Sequence, residues 1–190
     1  EDPRFIQGKG NYVDDIKLPG MLYMDIVRTP YAHARILSID DSEALAMEGV
    51  LAVIKGQDLE AAGNLHWMPT LAGDKQMVLA DGKVLFQGQE VAFVVANDRY
   101  IAADAVELIE VEYEELPVLT DPFEALQSDV VLREDLDPNA DGAHGPRKHP
   151  NHIFTWEAGE KEATEQVIAA ADVVAEPGHR AHEQVEHHVV

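Results

Sequence analysis

Short apolar runs separated by turn signals dominate the first two thirds of the chain. Apolar runs of about 4–8 residues are typical of buried strands, whereas apolar residues spaced three and four apart predict helices. Strands are predicted at Met21–Val27, Arg35–Asp40, Val50–Ile54, Glu90–Ala96 and Glu110–Tyr113. Helices are predicted at Ser42–Met47, capped by Asp40 and Asp41, and at Arg99–Ile109, with Asp98 near its start. The most apolar run, Glu90–Ala96, is expected at the sheet centre.

The order of these elements bears on the fold class. Alternating strands and helices favour parallel pairing, but these helices are short and hairpin-like loops also occur. We therefore predict an α+β fold, with a mixed sheet and short helices, rather than a doubly wound α/β fold. The stretch Gly63–Ala80 has no sustained period and is expected to be a long surface excursion.

Turn-forming residues accumulate after Leu116-Pro117 and predict a change of domain. Residues 129–150 are rich in Pro, Gly, Asn and Asp, and a short helix is expected near Phe123–Leu126. A second small unit follows, with a strand at His152–Trp156, a helix at Lys161–Ala170 and a strand at Asp172–Ala175. The predicted organisation is a domain at 1–128, a connecting arm at 129–151 and the start of a further domain at 152–190.

Charge and composition limit the classes of function. The 190 residues carry 14 Lys and Arg against 36 Asp and Glu, and the formal net charge of −22 disfavours nucleic acid and anionic lipid as partners. Cysteine is absent from the sequence, which excludes a cysteine nucleophile, disulfides and cysteine-held clusters within these residues.

Neither an apolar run of about 18 residues nor a signal peptide is visible, so a cytoplasmic protein is expected. Because the first residue is Glu1, we expect the sequence to be a piece of a longer reading frame.

Two patterns have the residue types of ligand sites without the required spacing. Gly8-Lys9-Gly10 lacks the third glycine of a dinucleotide-binding loop and is interpreted as a turn. Near the C-terminus, His182 and His187 lie about 140° apart around a helix, which counts against a metalloprotease helix. A polar, solvated segment is the preferred interpretation there, with metal binding as the alternative. The segment contains His179, His182, Glu183, Glu186, His187 and His188.

One basic cluster lies within this acidic chain and contains His144, Arg147, Lys148, His149 and His152. It would suit an acidic partner or an anionic cofactor tail, although exposed loop residues are the preferred interpretation. Paired carboxylates such as Asp14-Asp15 are expected at turns and solvent-facing positions. No residue is therefore nominated as catalytic, cofactor-binding or metal-binding.

A series of motifs in a fixed order resembles a known domain. The motifs are GKGNYVDD at 8–15, LPGML at 18–22, AHARILSID at 32–40, GVLAV at 49–53, GQEVAFVVA at 88–96 and AADAVELIEVEYEELPVLTDP at 102–122. Together they resemble the N-terminal α/β hammerhead domain of molybdenum hydroxylase large subunits, the xanthine dehydrogenase and aldehyde oxidase family. The resemblance covers residues 1–175 and implies the hammerhead fold.

Three segments resemble one branch of that family, the aerobic carbon monoxide dehydrogenases: MPTLAGD at 68–74, KVLFQGQEVAFVVA at 83–96 and GAHGPRKHPNHIFTWEAG at 142–159. The resemblance implies a large subunit that binds molybdopterin cytosine dinucleotide with molybdenum, and copper on a cysteine. Its implied partners are a medium FAD-binding subunit and a small subunit with two [2Fe–2S] clusters. Carbon monoxide and water would become carbon dioxide, with electrons passing through the clusters to FAD and a quinone. The copper cysteine and the glutamate base are expected beyond residue 190, so no catalytic residue is carried over to this segment.

For these residues the resemblance implies a structural and subunit-packing role. Interface residues are expected in two stretches and comprise Trp67, Met68, Asp74, His144, Arg147 and His149. Two alternatives stay open. The chain could be a free-standing hammerhead module for interaction or assembly, or it could belong to a large subunit that acts on xanthine, an aldehyde or an N-heterocycle.

Overall fold

A computed structural model describes residues 3–62, 66–67, 76–135, 149–152 and 158–174. The chain divides into two compact units, of which the first comprises Glu1–Leu65 with Met77–Val118 and the second comprises His66–Gln76 with Leu119–Val190. Each unit is described by itself below.

The first sheet of the first unit consists of β1 (Tyr23–Arg28), β3 (Val50–Lys55) and β7 (Glu90–Ala96). Its strand order is β1-β7-β3, and both pairings are antiparallel. The prediction that Glu90–Ala96 occupies the sheet centre is confirmed. Both edges of this strand are paired, and four of its residues, Val91, Ala92, Val94 and Ala96, are fully buried, in agreement with the nearly continuous apolar run at 91–96.

The helix α3 (Arg99–Val106) packs against this sheet through its small residues. Ala102 and Ala105 are buried, and their short side chains allow the helix to lie close to the strands. At its start, the carboxylate of Asp98 accepts a hydrogen bond of 2.8 Å from the N–H of Tyr100. The helix ends three residues earlier than the predicted Ile109, because Leu108 and Ile109 form tighter three-residue bonds to Ala105 and Val106.

The second sheet has the order β6-β2-β8, formed by β2 (Ala34–Asp40), β6 (Lys83–Val84) and β8 (Glu110–Glu115). Strand β2 shifts register between Ile36 and Ser38. Ile36 and Ile39 are three residues apart and would point to opposite faces of a regular strand, but the shift lets both pack against the core. The α+β prediction is confirmed, while the expected mixed sheet is wrong: both sheets of this unit are antiparallel.

A hydrophobic core cluster joins the two sheets and two of the helices of the first unit. It includes Val94 of β7, Val84 of β6 and Ala105 of α3, together with Ala44 of α2 (Ser42–Ala46). Leu79 is also fully buried, at 0% exposure. The expectation of a surface excursion over Gly63–Ala80 is therefore wrong for the last residues of that stretch. A single apolar residue can pack into a core even where the surrounding sequence has no periodic pattern.

The remaining described elements of the first unit are short. They are α1 (Pro3–Ile6), a 3₁₀ turn at Val13–Asp15 and a 3₁₀ helix at Gly56–Ala62. A further strand pair, which belongs largely to the second unit, consists of the two-residue strands β4 (His66–Trp67) and β5 (Gln76–Met77).

The second unit contains α4 (Pro122–Ala125) and α5 (Lys161–Ala169). Asp121 caps α4 by accepting hydrogen bonds from the N–H groups of Phe123 at 2.8 Å and Glu124 at 3.3 Å. Residues 172–174 form a bend and irregular backbone, so the predicted strand Asp172–Ala175 is wrong over those residues. A strand needs a partner for its backbone ladder, which local sequence does not reveal. Of the predicted strand His152–Trp156, residues 153–156 lie outside the described residues.

Candidate functional site

Two of the six residues predicted at an interface fall within the described residues. Trp67 lies in β4, next to β5. His149 lies at the start of a turn that runs to His152. Met68, Asp74, His144 and Arg147 lie outside the described residues, so their place in an interface stays a prediction.

The His149 ring is half-buried and serves its own turn. Its Nδ1 accepts a hydrogen bond of 3.2 Å from the N–H of Asn151, and its carbonyl oxygen accepts one of 2.9 Å from the N–H of His152. With Nδ1 acting as acceptor, the ring proton of the neutral form must lie on Nε2. Nε2 is therefore the ring atom of neutral His149 that can donate a further hydrogen bond.

Asn151 connects its own turn to the end of α4 and to the loop at residues 130–132, a role that sequence reasoning missed. Its Nδ2 donates to the carbonyl oxygens of Ala125 at 2.9 Å and Val130 at 2.8 Å, and its Oδ1 accepts from the N–H of Leu132 at 3.0 Å. These bonds give partners to two carbonyl oxygens and one N–H group of the backbone that lie outside sheet ladders. In the sequence Asn151 resembles any other turn residue after a proline, so no local signal identifies this role.

His33 is the most buried histidine among the described residues, with 5% of its surface exposed. Its Nδ1 lies 2.7 Å from the carbonyl oxygen of Pro117, and its own carbonyl oxygen accepts from the N–H of Leu116 at 3.0 Å. The Nε2 atom is buried and has no hydrogen-bond partner within the described residues. With Nδ1 donating to a carbonyl, His33 fastens the start of β2 to the end of β8.

A charged group surrounds the start of α2. Lys55 Nζ lies 2.8 Å from Asp41 Oδ2, and both side chains are largely shielded from solvent. Asp40 accepts a hydrogen bond of 3.0 Å from the N–H of Ser42. The Ser42 hydroxyl, followed by that N–H group, lowers the pKa of the Asp40 carboxyl, and the charge of Lys55 adds to the effect. Of the two expected caps, Asp40 is confirmed by this side-chain hydrogen bond, whereas Asp41 makes no side-chain cap and its carboxylate is paired with Lys55.

A shallow cleft of about 180 Å³ lies beside this charged group, lined by residues 36–39, 55–57 and 80–82. The one lysine that lines it already forms the ion pair with Asp41. Ser38 is the one hydroxyl residue among those that line the cleft, and its hydroxyl donates to an exposed carboxylate, that of Glu112, at 3.3 Å. No histidine is among the lining residues, and this contact alone does not make an active site.

Two tyrosines pack beside the end of β1. The rings of Tyr31 and Tyr113 lie with their centroids 5.0 Å apart at a tilt of 53°. Burial raises the pKa of Tyr113, while the Thr29 hydroxyl opposes that shift. Tyr113 therefore stays protonated at neutral pH and acts as a packing residue of the core rather than as a proton acceptor.

The outer face of the second sheet is polar and strongly acidic. Arg35 pairs with Glu114 across the strands at 2.8 Å, and the Ser38 hydroxyl lies 3.3 Å from a carboxylate oxygen of Glu112. These side chains face solvent, where ion pairs add little stability. The arrangement is typical of a solvated sheet face.

Ligand sets for metals are lacking in the part of the chain that the structure describes: it contains no group of three or more His, Asp or Glu side chains placed to hold an ion. The histidine-rich segment after residue 174 lies outside that part. Within the same described ranges, no helix is long and apolar enough to cross a membrane. The described side chains thus pack the core and fasten loops, and we identify no reaction centre among the described residues.

Comparison with known proteins adds what these contacts alone do not reveal. The family described as aldehyde oxidase and xanthine dehydrogenase, a/b hammerhead domain, matches residues 7–117. The carbon monoxide dehydrogenase large chain of Afipia carboxidovorans is 63% identical over 186 residues, which is 96% of this chain and 23% of that protein. The xanthine dehydrogenase molybdenum-binding subunit of Escherichia coli O157:H7 is 37% identical over 132 residues, or 65% of this chain and 17% of that protein.

A solved structure agrees with the sequence matches. The reconstituted CO dehydrogenase from Oligotropha carboxidovorans superposes with a TM-score of 0.77 at 65% identity, covering 90% of this chain and 21% of that one. The chain therefore spans less than a quarter of the length of these carbon monoxide dehydrogenase large chains. The matched residues, 7–117, contain both antiparallel sheets and α3, which confirms the hammerhead prediction. The chain belongs to the aldehyde oxidase and xanthine dehydrogenase family, through its a/b hammerhead domain.

Proposed function

We propose that the chain is the N-terminal part of the large subunit of a molybdenum-containing aerobic carbon monoxide dehydrogenase. The observation that carries the proposal is the difference in identity between branches of the family: 63% to a carbon monoxide dehydrogenase large chain against 37% to a xanthine dehydrogenase subunit. The reaction would convert carbon monoxide and water to carbon dioxide, with electrons passing to FAD and a quinone.

The proposed organisation has a hammerhead domain at 1–128, a connecting arm at 129–151 and the beginning of the cofactor-binding domain at 152–190. The medium FAD-binding subunit and the small subunit with [2Fe–2S] clusters would be the partners, in the cytoplasm. Interface contacts are proposed for the Trp67–Asp74 loop and the His144–His152 stretch.

The residues of this chain do not fit the cofactors of such an enzyme. The copper-binding cysteine that the resemblance implies, and the cysteines that hold [2Fe–2S] clusters, have no counterpart among the 190 residues, and the described residues contain no metal-ligand set. Molybdopterin cytosine dinucleotide, molybdenum and copper would therefore be held by other residues of the large subunit. In this proposal the hammerhead domain contributes packing surface, and no reaction step is assigned to its side chains.

The first experiment is the intact mass, under denaturing conditions, of the polypeptide isolated from its natural source. A mass several-fold above 20.9 kDa, followed by carbon monoxide-dependent reduction of an artificial electron acceptor, is the expected result. If the enzyme oxidised xanthine, an aldehyde or an N-heterocycle instead of carbon monoxide, the chain would be assigned to another branch of the family. A mass near 20.9 kDa would instead favour a free-standing interaction or assembly module.

The interface proposal has its own test, with Trp67→Ala as the variant and the yield of the three-subunit complex as the measurement. Trp67 is preferred to His149 because replacing His149 also removes the acceptor for Asn151 N–H. Unchanged subunit assembly in Trp67→Ala would remove the Trp67–Asp74 loop from the interface.

A further inference from the structure

An exposed bend immediately before β6 contains the step Asp81-Gly82. Both residues are exposed, and Gly82 has a φ of +69° with open space around the position that a Cβ atom would occupy. Glycine also leaves its own nitrogen unhindered, because it has no side chain to shield that atom. The step therefore places a solvent-accessible carboxyl group beside a sterically open backbone nitrogen. The sequence contains one other such step, Asp141-Gly142, which lies outside the described residues.

Neither reacting group is engaged elsewhere in the part of the chain that the structure describes. The Asp81 carboxylate has no hydrogen bond or ion pair to a described residue, and the Gly82 N–H has no acceptor among them. Asp58 is the contrasting case. It is also exposed, but its carboxylate accepts a hydrogen bond of 2.8 Å from the N–H of Lys55, and the next residue is Leu59. A bonded carboxylate and a bulky following residue both hinder attack by the backbone nitrogen.

We propose that Asp81 is a site of spontaneous isomerisation to isoaspartate. The Gly82 nitrogen attacks Cγ of Asp81 in its carboxylic acid form, and the new C–N bond closes a five-membered imide. One water leaves, formed from the carboxyl OH and the proton of the nitrogen.

Ring opening completes the isomerisation. A water molecule adds to the main-chain carbonyl carbon of residue 81 and breaks its bond to the Gly82 nitrogen, which regains a proton. The chain is then linked through the former side-chain carboxyl carbon. The water lost in the first step is regained in the second, so the reaction needs no oxidant, reductant or cofactor. It does not depend on the proposed function, because the Asp81-Gly82 step in its folded setting is sufficient.

The backbone is anchored on both sides of this step. The Ala80 N–H donates to the carbonyl oxygen of Glu90 at 2.8 Å, and the Gly82 carbonyl oxygen accepts from the N–H of Ile36 at 2.9 Å. Isomerisation inserts the Cβ atom of residue 81 into the main chain between these two hydrogen bonds. Because the added length must be absorbed there, the bond between Ile36 and Gly82 should weaken, and it lies where β6 begins to pair with β2.

Isotope labelling tests the site in the full-length protein, isolated from its natural source and compared with a full-length Asp81→Glu variant. The variant keeps the charge, but its longer side chain would have to close a six-membered ring, which forms far more slowly. In neutral buffer made with heavy-oxygen water, each passage through the imide introduces one heavy oxygen atom. Peptide mass spectrometry measures this gain, and electron-transfer fragmentation distinguishes isoaspartate from aspartate. We expect both signals to accumulate at residue 81 but not at Asp58, and to be lost in Asp81→Glu.

The denatured protein supplies the reference rate, because both Asp-Gly steps are free to react there. Labelling of residue 81 in the folded protein at a rate of the same order as in the denatured protein is the expected result. Absence of heavy oxygen at residue 81 in the folded protein, or equal labelling of Asp58, would overturn the proposal. Hydrogen exchange checks the structural consequence. The Ile36 amide should exchange faster in the isomerised fraction, and unchanged exchange would show that the contact with Gly82 survives.

Discussion

Nδ1 of His33 lies 2.7 Å from the carbonyl oxygen of Pro117, although 84 residues separate them in the chain. The contact joins the loop before β2 to the end of β8, and the histidine ring is buried. A single side chain thus fastens two distant ends of the second sheet.

Replacing His33 should destabilise the first unit markedly. His33→Ala would leave a cavity and an unpaired carbonyl group at Pro117, at a cost of about 2–4 kcal/mol in the free energy of unfolding. His33→Asn keeps a donor near the position of Nδ1 and should lose less. Urea denaturation of the three proteins gives the comparison, and equal losses for both variants would show that the bond to Pro117 contributes nothing.

The ion pairs Asp41–Lys55 and Arg35–Glu114 should differ in strength because they differ in exposure. Lys55 and Asp41 are 20% and 16% exposed, whereas Arg35 and Glu114 are both 52% exposed. A double-mutant cycle with alanine should give a coupling energy of about 1.5–3 kcal/mol for Asp41–Lys55 and below about 1 kcal/mol for Arg35–Glu114. Added salt should weaken the exposed pair more. Equal coupling energies would contradict the assignment of Asp41–Lys55 as the stronger pair.

Gly56 is required for space rather than for backbone conformation. A Cβ atom at this position would lie 2.5 Å from the carbonyl oxygen of Ala80, and backbone atoms cannot swing aside as a side chain can. Gly56→Ala should therefore cost about 3 kcal/mol or more in the free energy of unfolding.

Gly82→Ala is the control for this prediction, since Gly82 has a φ of +69° and open space around its Cβ position. Its cost should be limited to backbone strain, about 1–2 kcal/mol. Thermal or urea unfolding that ranks Gly82→Ala as the more damaging change would refute the steric argument.

The Asp40–Ser42 contact predicts a pH-dependent contribution to stability. Because the folded pKa of Asp40 is lowered, its contribution is present above the pKa of the unfolded chain and is lost as the pH falls through the folded pKa. Ser42→Ala removes the hydroxyl, the largest cause, and should raise the Asp40 pKa toward its ordinary value in an NMR titration of the carboxyl groups. The stability difference between the two proteins should fade in acid. Ser38→Ala, which removes a hydroxyl next to Glu112, should leave the Asp40 pKa unchanged.

The strand and helix positions of the first unit were largely predictable because they depend on local periodicity. Strands near Met21–Val27, Arg35–Asp40 and Val50–Ile54 form within a few residues of their predicted bounds, and Glu90–Ala96 is confirmed at the sheet centre. The ordered motifs also identified the hammerhead family. Each of these features is encoded within a continuous stretch of the chain.

The sequence by itself therefore determined the order and type of the elements of this protein, its acidic charge and its family. Only the tertiary structure decided how the strands divide into two sheets and where the register shift of β2 turns both Ile36 and Ile39 toward the core. It also placed Leu79 in the core and joined His33 to Pro117. The physical reason is that strand pairing and core packing depend on the free energy of contacts between residues far apart in the chain. Local periodicity contains no information about which distant residue a given residue will contact.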